Sequence, residues 1–106
     1  MEKNLTEKNN YSDAIESAQA EIASKGLARL GKYALEGLWK FGPHSAKELA
    51  SELKMSESMR TKLSTCLNIF KKYGLVSKRE LNLDGRQRKF KLIDPEILEL
   101  YRKRVA

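Results

Sequence analysis

A chain of 106 residues has room for one domain, and its 41% hydrophobic and 33% charged residues allow a modest core beneath a heavily solvated surface. It has no apolar run long enough for a membrane span or the core of an export signal, and its single cysteine, Cys66, cannot pair internally, so the expected address is the cytoplasm. The net charge of +7 is concentrated: residues 54–91 carry eleven basic and three acidic groups while residues 1–40 carry six of each, an asymmetry expected of a chain that meets a polyanion.

Residues 1–10 are polar apart from Leu5 and read as a disordered arm, leaving 11–106 as the single domain. Ser12 could cap a helix over about 12–25, in which Ala14, Ile15, Ala18 and Ile22 recur at three- and four-residue spacing. Gly26 breaks it. A second helix follows over about 27–41, with Leu27, Leu30, Ala34, Leu35, Leu38 and Trp39 on one side. Gly31 and Gly37 each weaken that helix by about 1 kcal/mol relative to alanine, so tertiary packing must hold it. Gly42-Pro43 ends it.

Ser45-Ala46-Lys47-Glu48 fits a capping box, in which the serine hydroxyl accepts from the Glu48 N–H and the Glu48 carboxylate returns to Ser45. It opens a short helix over about 45–53 whose apolar face is Ala46, Leu49, Ala50 and Leu53. After Lys54-Met55-Ser56, with Ser56 as cap, a longer helix runs over about 57–73. Advancing about 100° per residue puts Met59, Leu63, Cys66, Phe70 and Tyr73 on one face, which is core. Glu57, Thr61, Ser64, Thr65, Asn68 and Lys72 fall on the opposite one. Gly74 closes the helix.

The period then changes to 2. Strands over about 75–82 and 86–93 flank Leu83-Asp84-Gly85, a three-residue hairpin loop with Gly85 in the left-handed position. That register sets Val76 opposite Leu92, Lys78 opposite Phe90 and Glu80 opposite Arg88. Val76, Phe90 and Leu92 then point inward, and Ser77, Arg79, Lys89 and Lys91 outward. Asp94-Pro95-Glu96 starts a last helix over about 95–105, with Ile97, Leu98, Tyr101 and Val105 on its apolar side and Arg102, Lys103 and Arg104 at its C-terminal end.

The chain is therefore mainly α with a small β-hairpin. Two helices joined by a tight turn, the second long and polar on its outer face, with a basic hairpin behind it, resemble the winged helix-turn-helix DNA-binding proteins, in particular small bacterial and archaeal regulators of the MarR, ArsR and PadR type. The resemblance is carried by Ser45-Ala46-Lys47-Glu48-Leu49-Ala50, Thr61 to Phe70, Tyr73-Gly74-Leu75-Val76 and Asp84-Gly85, and covers about residues 28–93. The turn holds Lys54 where many such units carry glycine. The resemblance implies a winged helix with extra N- and C-terminal helices, a double-stranded DNA partner, the long helix in the major groove and the wing on the backbone or minor groove.

The residues support that expectation independently. Arg60 is suited to a guanine edge, and Thr61, Ser64, Thr65 and Asn68 are short donors and acceptors for other base edges. Ser45, Lys47, Ser56, Ser58, Lys62, Lys71 and Lys72 are candidates for phosphate contacts, which position a protein without reading sequence. On the wing, Lys78, Arg79, Arg86, Arg88, Lys89 and Lys91 are candidates for the backbone or a narrow minor groove. The stripes Ile15, Ala18, Ile22 and Ile97, Leu98, Tyr101 either pack on their own domain or, as similar regulators imply, build a homodimer. A homodimer would set two long helices on half-sites about 34 Å apart.

Other chemistry finds little support. Cys66 lies on the core face, His44 is the only histidine, and no second ligand makes a zinc site. No nucleophile pairs with a general base and no phosphate-binding loop is present, so neither an enzyme nor a cofactor is expected. The expected function is a sequence-specific, dimeric transcriptional repressor or regulator at the nucleoid. A plasmid or phage segregation or replication-control protein would carry the same pattern. A protein-interaction or RNA-binding winged helix is the remaining alternative; the excess of eight positive charges in residues 54–91 and the scarcity of aromatics there argue against it.

Overall fold

The computed structural model describes the backbone over residues 2–80 and 88–105 and the side chains over 11–78 and 89–104. The elements are α1 (Glu2–Ser24), α2 (Ala28–Phe41), α3 (Ala46–Glu52), α4 (Glu57–Lys72), β1 (Val76–Glu80), β2 (Arg88–Leu92) and α5 (Pro95–Val105). The expected loop Leu83-Asp84-Gly85 and the outer ends of the expected strands lie outside the described residues.

The largest departure from expectation is at the N-terminus. The helix begins at Glu2 and not at about residue 12, so Ser12 lies within it and is not its cap. The physical reason is that extending a helix costs far less than nucleating one. Ile15, Ala18 and Ile22 anchor the helix in the core, and residues 2–10, which bring only Leu5 to an apolar stripe, continue it.

Local chemistry explains the other boundaries. The Ser45 hydroxyl accepts from the Glu48 N–H at 3.1 Å, and the Ser45 N–H donates to Glu48 Oε1 at 3.0 Å, completing the capping box of α3. Ser56 caps α4 by accepting from the Met59 N–H at 3.4 Å. Between them Lys54 adopts a left-handed φ of 55°, the conformation that favours glycine in such turns. At the far end of α4, Gly74 (φ 76°) lets its own N–H reach the Lys71 carbonyl and the Leu75 N–H reach the Phe70 carbonyl, a Schellman closure that turns the chain into β1. Asp94 opens α5 by accepting from the Glu96 N–H at 2.9 Å.

β1 and β2 pair antiparallel in the expected register, Val76 with Leu92, Lys78 with Phe90 and Glu80 with Arg88. A contact not foreseen joins the hairpin to the segment before α3: the His44 N–H donates to the Phe90 carbonyl at 3.1 Å and the Phe90 N–H to the His44 carbonyl at 2.8 Å.

All five helices and the hairpin close on one apolar core, and no polar or charged side chain is buried in it among the described residues. Its largest member is Tyr101 of α5, which stands edge-on to Phe70 of α4 with centroids 5.6 Å apart and donates its hydroxyl to the Ala28 carbonyl at 3.3 Å. Burial pushes the Tyr101 hydroxyl up to about 12 and the Cys66 thiol up to about 11, so both remain neutral packing groups. Gly31 of α2 leaves no room for a side chain: a Cβ there would lie 2.6 Å from the Tyr101 hydroxyl and 3.3 Å from the Phe70 ring.

This core corrects two expectations. Ile15, Ala18, Ile22, Ile97, Leu98 and Tyr101, the candidates for a dimer interface, are all buried against their own chain. Periodicity identified the apolar faces of α1 and α5; the faces cover α2 and α4 and leave none of these side chains for a partner. Trp39, placed with the core face of α2, is 58% exposed instead. It sits about 40° beyond Leu35 around the helix, on the rim rather than the floor of that face.

Candidate nucleic-acid interface

The outward face of α4 is held by its inward one. Leu63, Cys66, Leu67 and Phe70 are wholly buried, which fixes the rotation of the helix and leaves Thr61 and Asn68 exposed with Ser64 and Thr65 half-buried beside them. The four line one shallow groove together with Arg60 and, from α3, Ala46 and Lys47. All five base-reading candidates thus share one surface. Along it the Asn68 amide donates to the Ser64 carbonyl at 3.0 Å and the Thr65 hydroxyl to the Thr61 carbonyl at 3.1 Å. Each side chain is steadied by its own helix while the Asn68 amide oxygen and the Thr65 lone pairs stay available. Arg60 lies 3.5 Å from Glu57 one turn earlier, an exposed pair that holds the guanidinium loosely at the groove's edge.

A second groove continues from the first through Lys47 and Ser64 and runs between α3 and the hairpin, reaching His44, Glu48, Lys78 and Phe90. Glu48 connects its walls. One carboxylate oxygen completes the capping box, and the other lies 3.6 Å from Lys89 Nζ on β2. The Ser45 N–H first, and the Lys89 charge with it, hold the Glu48 carboxyl below the ordinary carboxylate value. Lys78 on β1 lies over the Phe90 ring, 5.1 Å from its centroid, and Lys91 is exposed.

The phosphate candidates divide. Lys47 and Lys71 are exposed, and the structure gives neither an acidic partner among the described residues. Ser56 has its hydroxyl committed to the α4 cap, and Ser58 lies 3.2 Å from it. Lys62 stands on the opposite flank of α4, in a shallow groove shared with Met59 and with Arg29 at the start of α2. Lys72 is engaged elsewhere: its ammonium donates to Glu21 of α1 at 2.9 Å, and the Tyr73 hydroxyl donates to the same oxygen at 2.8 Å. Lys72 and Tyr73 together hold the Glu21 carboxyl low, and Glu21 in turn raises both partners. The Arg79 and Arg88 side chains and all of Arg86 lie outside the described residues.

Sequence reasoning missed three of these features. Glu48 was read only as a cap, yet it also meets the wing. Glu21 and Lys72 are 51 residues apart, beyond any local pattern. Arg29 was counted in a neutral stretch, and only the fold carries it beside Lys62.

Comparison with solved structures places this arrangement. The chain superposes on the crystal structure of a MarR family transcription regulator with a TM-score of 0.59 and 22% sequence identity, over 87% of this chain and 60% of the other. The fold is a winged helix. In it α3 and α4 form the helix-turn-helix, β1 and β2 are the wing, and α1 and α5 are the terminal additions. The winged helix here spans about 60% of the length of the regulator it matches. No protein-family model matches the sequence, and no curated protein is significantly similar to it. Among the described residues no three His, Cys, Asp or Glu side chains are grouped to hold a metal ion, and no helix is long and apolar enough to cross a membrane.

Proposed function

We propose that this winged helix is a sequence-specific double-stranded DNA-binding protein that acts as a dimeric transcriptional regulator, in the sense of a repressor, at the nucleoid. The observation that carries the reading is the shared groove of Arg60, Thr61, Ser64, Thr65 and Asn68 beside Lys47, a row of short polar groups on a convex helix with a lysine-bearing hairpin next to it. Such a face fits the major groove, where donors and acceptors within reach of base edges discriminate sequence. Lys47, Lys71, Lys78 and Lys91 would meet phosphates to either side, and the excess of eight positive charges in residues 54–91 would drive association.

The test is a fluorescence-anisotropy titration of a 30-base-pair duplex (an arbitrary length of about three turns) at several salt concentrations. The expected result is an affinity whose logarithm falls with log salt at about −0.9 per phosphate neutralised. Selection from a random duplex pool should then yield a preferred site. Absence of binding at low salt overturns the proposal.

A further inference from the structure

With the terminal stripes spent on the core, the large hydrophobic side chains left exposed among the described residues are Tyr33, Trp39 and Ile93. Two of the three are on the outward face of α2, where Lys32, Tyr33, Glu36, Trp39 and Lys40 occur together. Their order is a palindrome of residue classes about Glu36: lysine and aromatic four and three residues before it, aromatic and lysine three and four residues after it.

We propose that α2 pairs with α2 of a second copy of this chain, antiparallel and about a twofold axis at Glu36. This rests on the dimeric part of the reading above and is independent of the DNA part. Helical geometry decides which groups meet. Relative to Glu36, Tyr33 and Lys40 fall on one flank of the helix, about 60° and 40° around, and Trp39 and Lys32 fall on the other flank at the same angles. A twofold axis between antiparallel helices keeps each flank on its own side and reverses the direction along the helix. Tyr33, roughly 4.5 Å before the centre, then lies opposite Lys40 of the copy, whose offset is about 6 Å on the same side. Trp39 lies opposite Lys32 of the copy for the same reason. Each aromatic ring meets an ammonium group, four cation–π pairs in all, and no lysine faces a lysine.

The rest of the surface agrees. Lys40 already packs on a ring, with Nζ 5.4 Å from the Phe41 centroid. Glu36, at the centre, is neutralised by Arg102 of α5 at 3.0 Å, so the two glutamates can approach across the axis. The face shares no residue with the groove on α4, which stays free for DNA in both copies.

The test is cross-linking of the full chain with oxidant. Glu36→Cys places two thiols at the axis, where helices packed 8–10 Å apart bring facing Cα atoms within about 5 Å, inside the disulfide range. Arg29→Cys, seven residues along, puts them roughly 20 Å apart. The native Cys66 is buried and does not compete. The expected result is a covalent dimer from Glu36→Cys and none from Arg29→Cys. Sedimentation of the native chain at about 100 μM should show a dimer, weakened about tenfold or more by Trp39→Ala. The single tryptophan gives a parallel readout, a blue shift of its emission as the concentration rises. A native dimer in which Glu36→Cys fails to cross-link overturns the surface and leaves the dimeric reading standing. A native monomer at that concentration overturns both, whatever the DNA titration shows.

Discussion

Helices α2 and α4 pack against each other through the core, and their outward faces could hardly differ more. α4 shows solvent threonines, serine, asparagine and lysines, with its large apolar groups turned inward. α2 shows a tyrosine and a tryptophan set between lysines around one neutralised glutamate. Both faces are polar in an average sense, and composition alone does not separate them. Side-chain size does. Short groups leave the α4 surface low enough to lie against base edges, whereas the rings on α2 project a ridge that needs an apolar cover or a cation over each face.

The contrast can be broken at several points. The largest effect is expected at the reading face. Arg60→Ala should cost about 1–3 kcal/mol, or 5- to 150-fold, on a selected site and far less on random duplex, whereas Tyr33→Ala should leave single-site affinity unchanged. Competition anisotropy with the two duplexes measures the difference. Next comes the hidden side of α2. Gly31→Ala pushes a methyl group against the Tyr101 hydroxyl and the Phe70 ring, so it should destabilise the fold by about 1–3 kcal/mol despite the better helix propensity of alanine. Thermal melting should show a drop of several degrees for that change.

Smaller effects sharpen the account of α4. Lys47→Ala should make the log K against log salt slope shallower by about 0.9, one phosphate's worth. Lys72→Ala should alter it by less than about half as much, because Glu21 already balances that charge. The smallest effect concerns the seam with the wing. The Glu48 carboxyl is held below its ordinary value of 4.5 in the folded chain, so its contribution to stability is present above that pH and is lost as pH falls through its lowered value. Glu48→Gln should lower stability modestly at pH 7 and flatten the acid limb of a denaturation-against-pH curve below about 4.5, the variant and the parent converging as pH falls.

Much of this molecule was legible before any coordinates. The capping box at Ser45, the Ser56 cap, the Gly74 closure and the Asp94-Pro95 start are local chemistry, and each stands where the residues put it. The pairing of Val76 with Leu92 followed from a period of 2 with one buried face, which a one-residue slip would invert. The face of α4 followed from its 100° period. What failed was everything that needed to know a neighbour. Periodicity marked the stripes of α1 and α5 as buried without saying against what, so a partner was assigned to faces that cover α2 and α4. Residues 2–10 have no stripe at all, and their helix depends on one nucleated farther along. Lys72 looked like a free cation because its acid is 51 residues away.

The link between His44 and Phe90 carries a mechanical consequence. Two backbone hydrogen bonds and the Glu48–Lys89 contact fasten the middle of β2 to the segment that opens α3. The hairpin is therefore braced like a bracket and not hung like a flap. On the proposed DNA-binding reading, helix and wing would act as the fixed jaws of a caliper, so a duplex whose groove departs from their spacing would have to deform to fit, and the stiffness of the DNA would become part of what is measured.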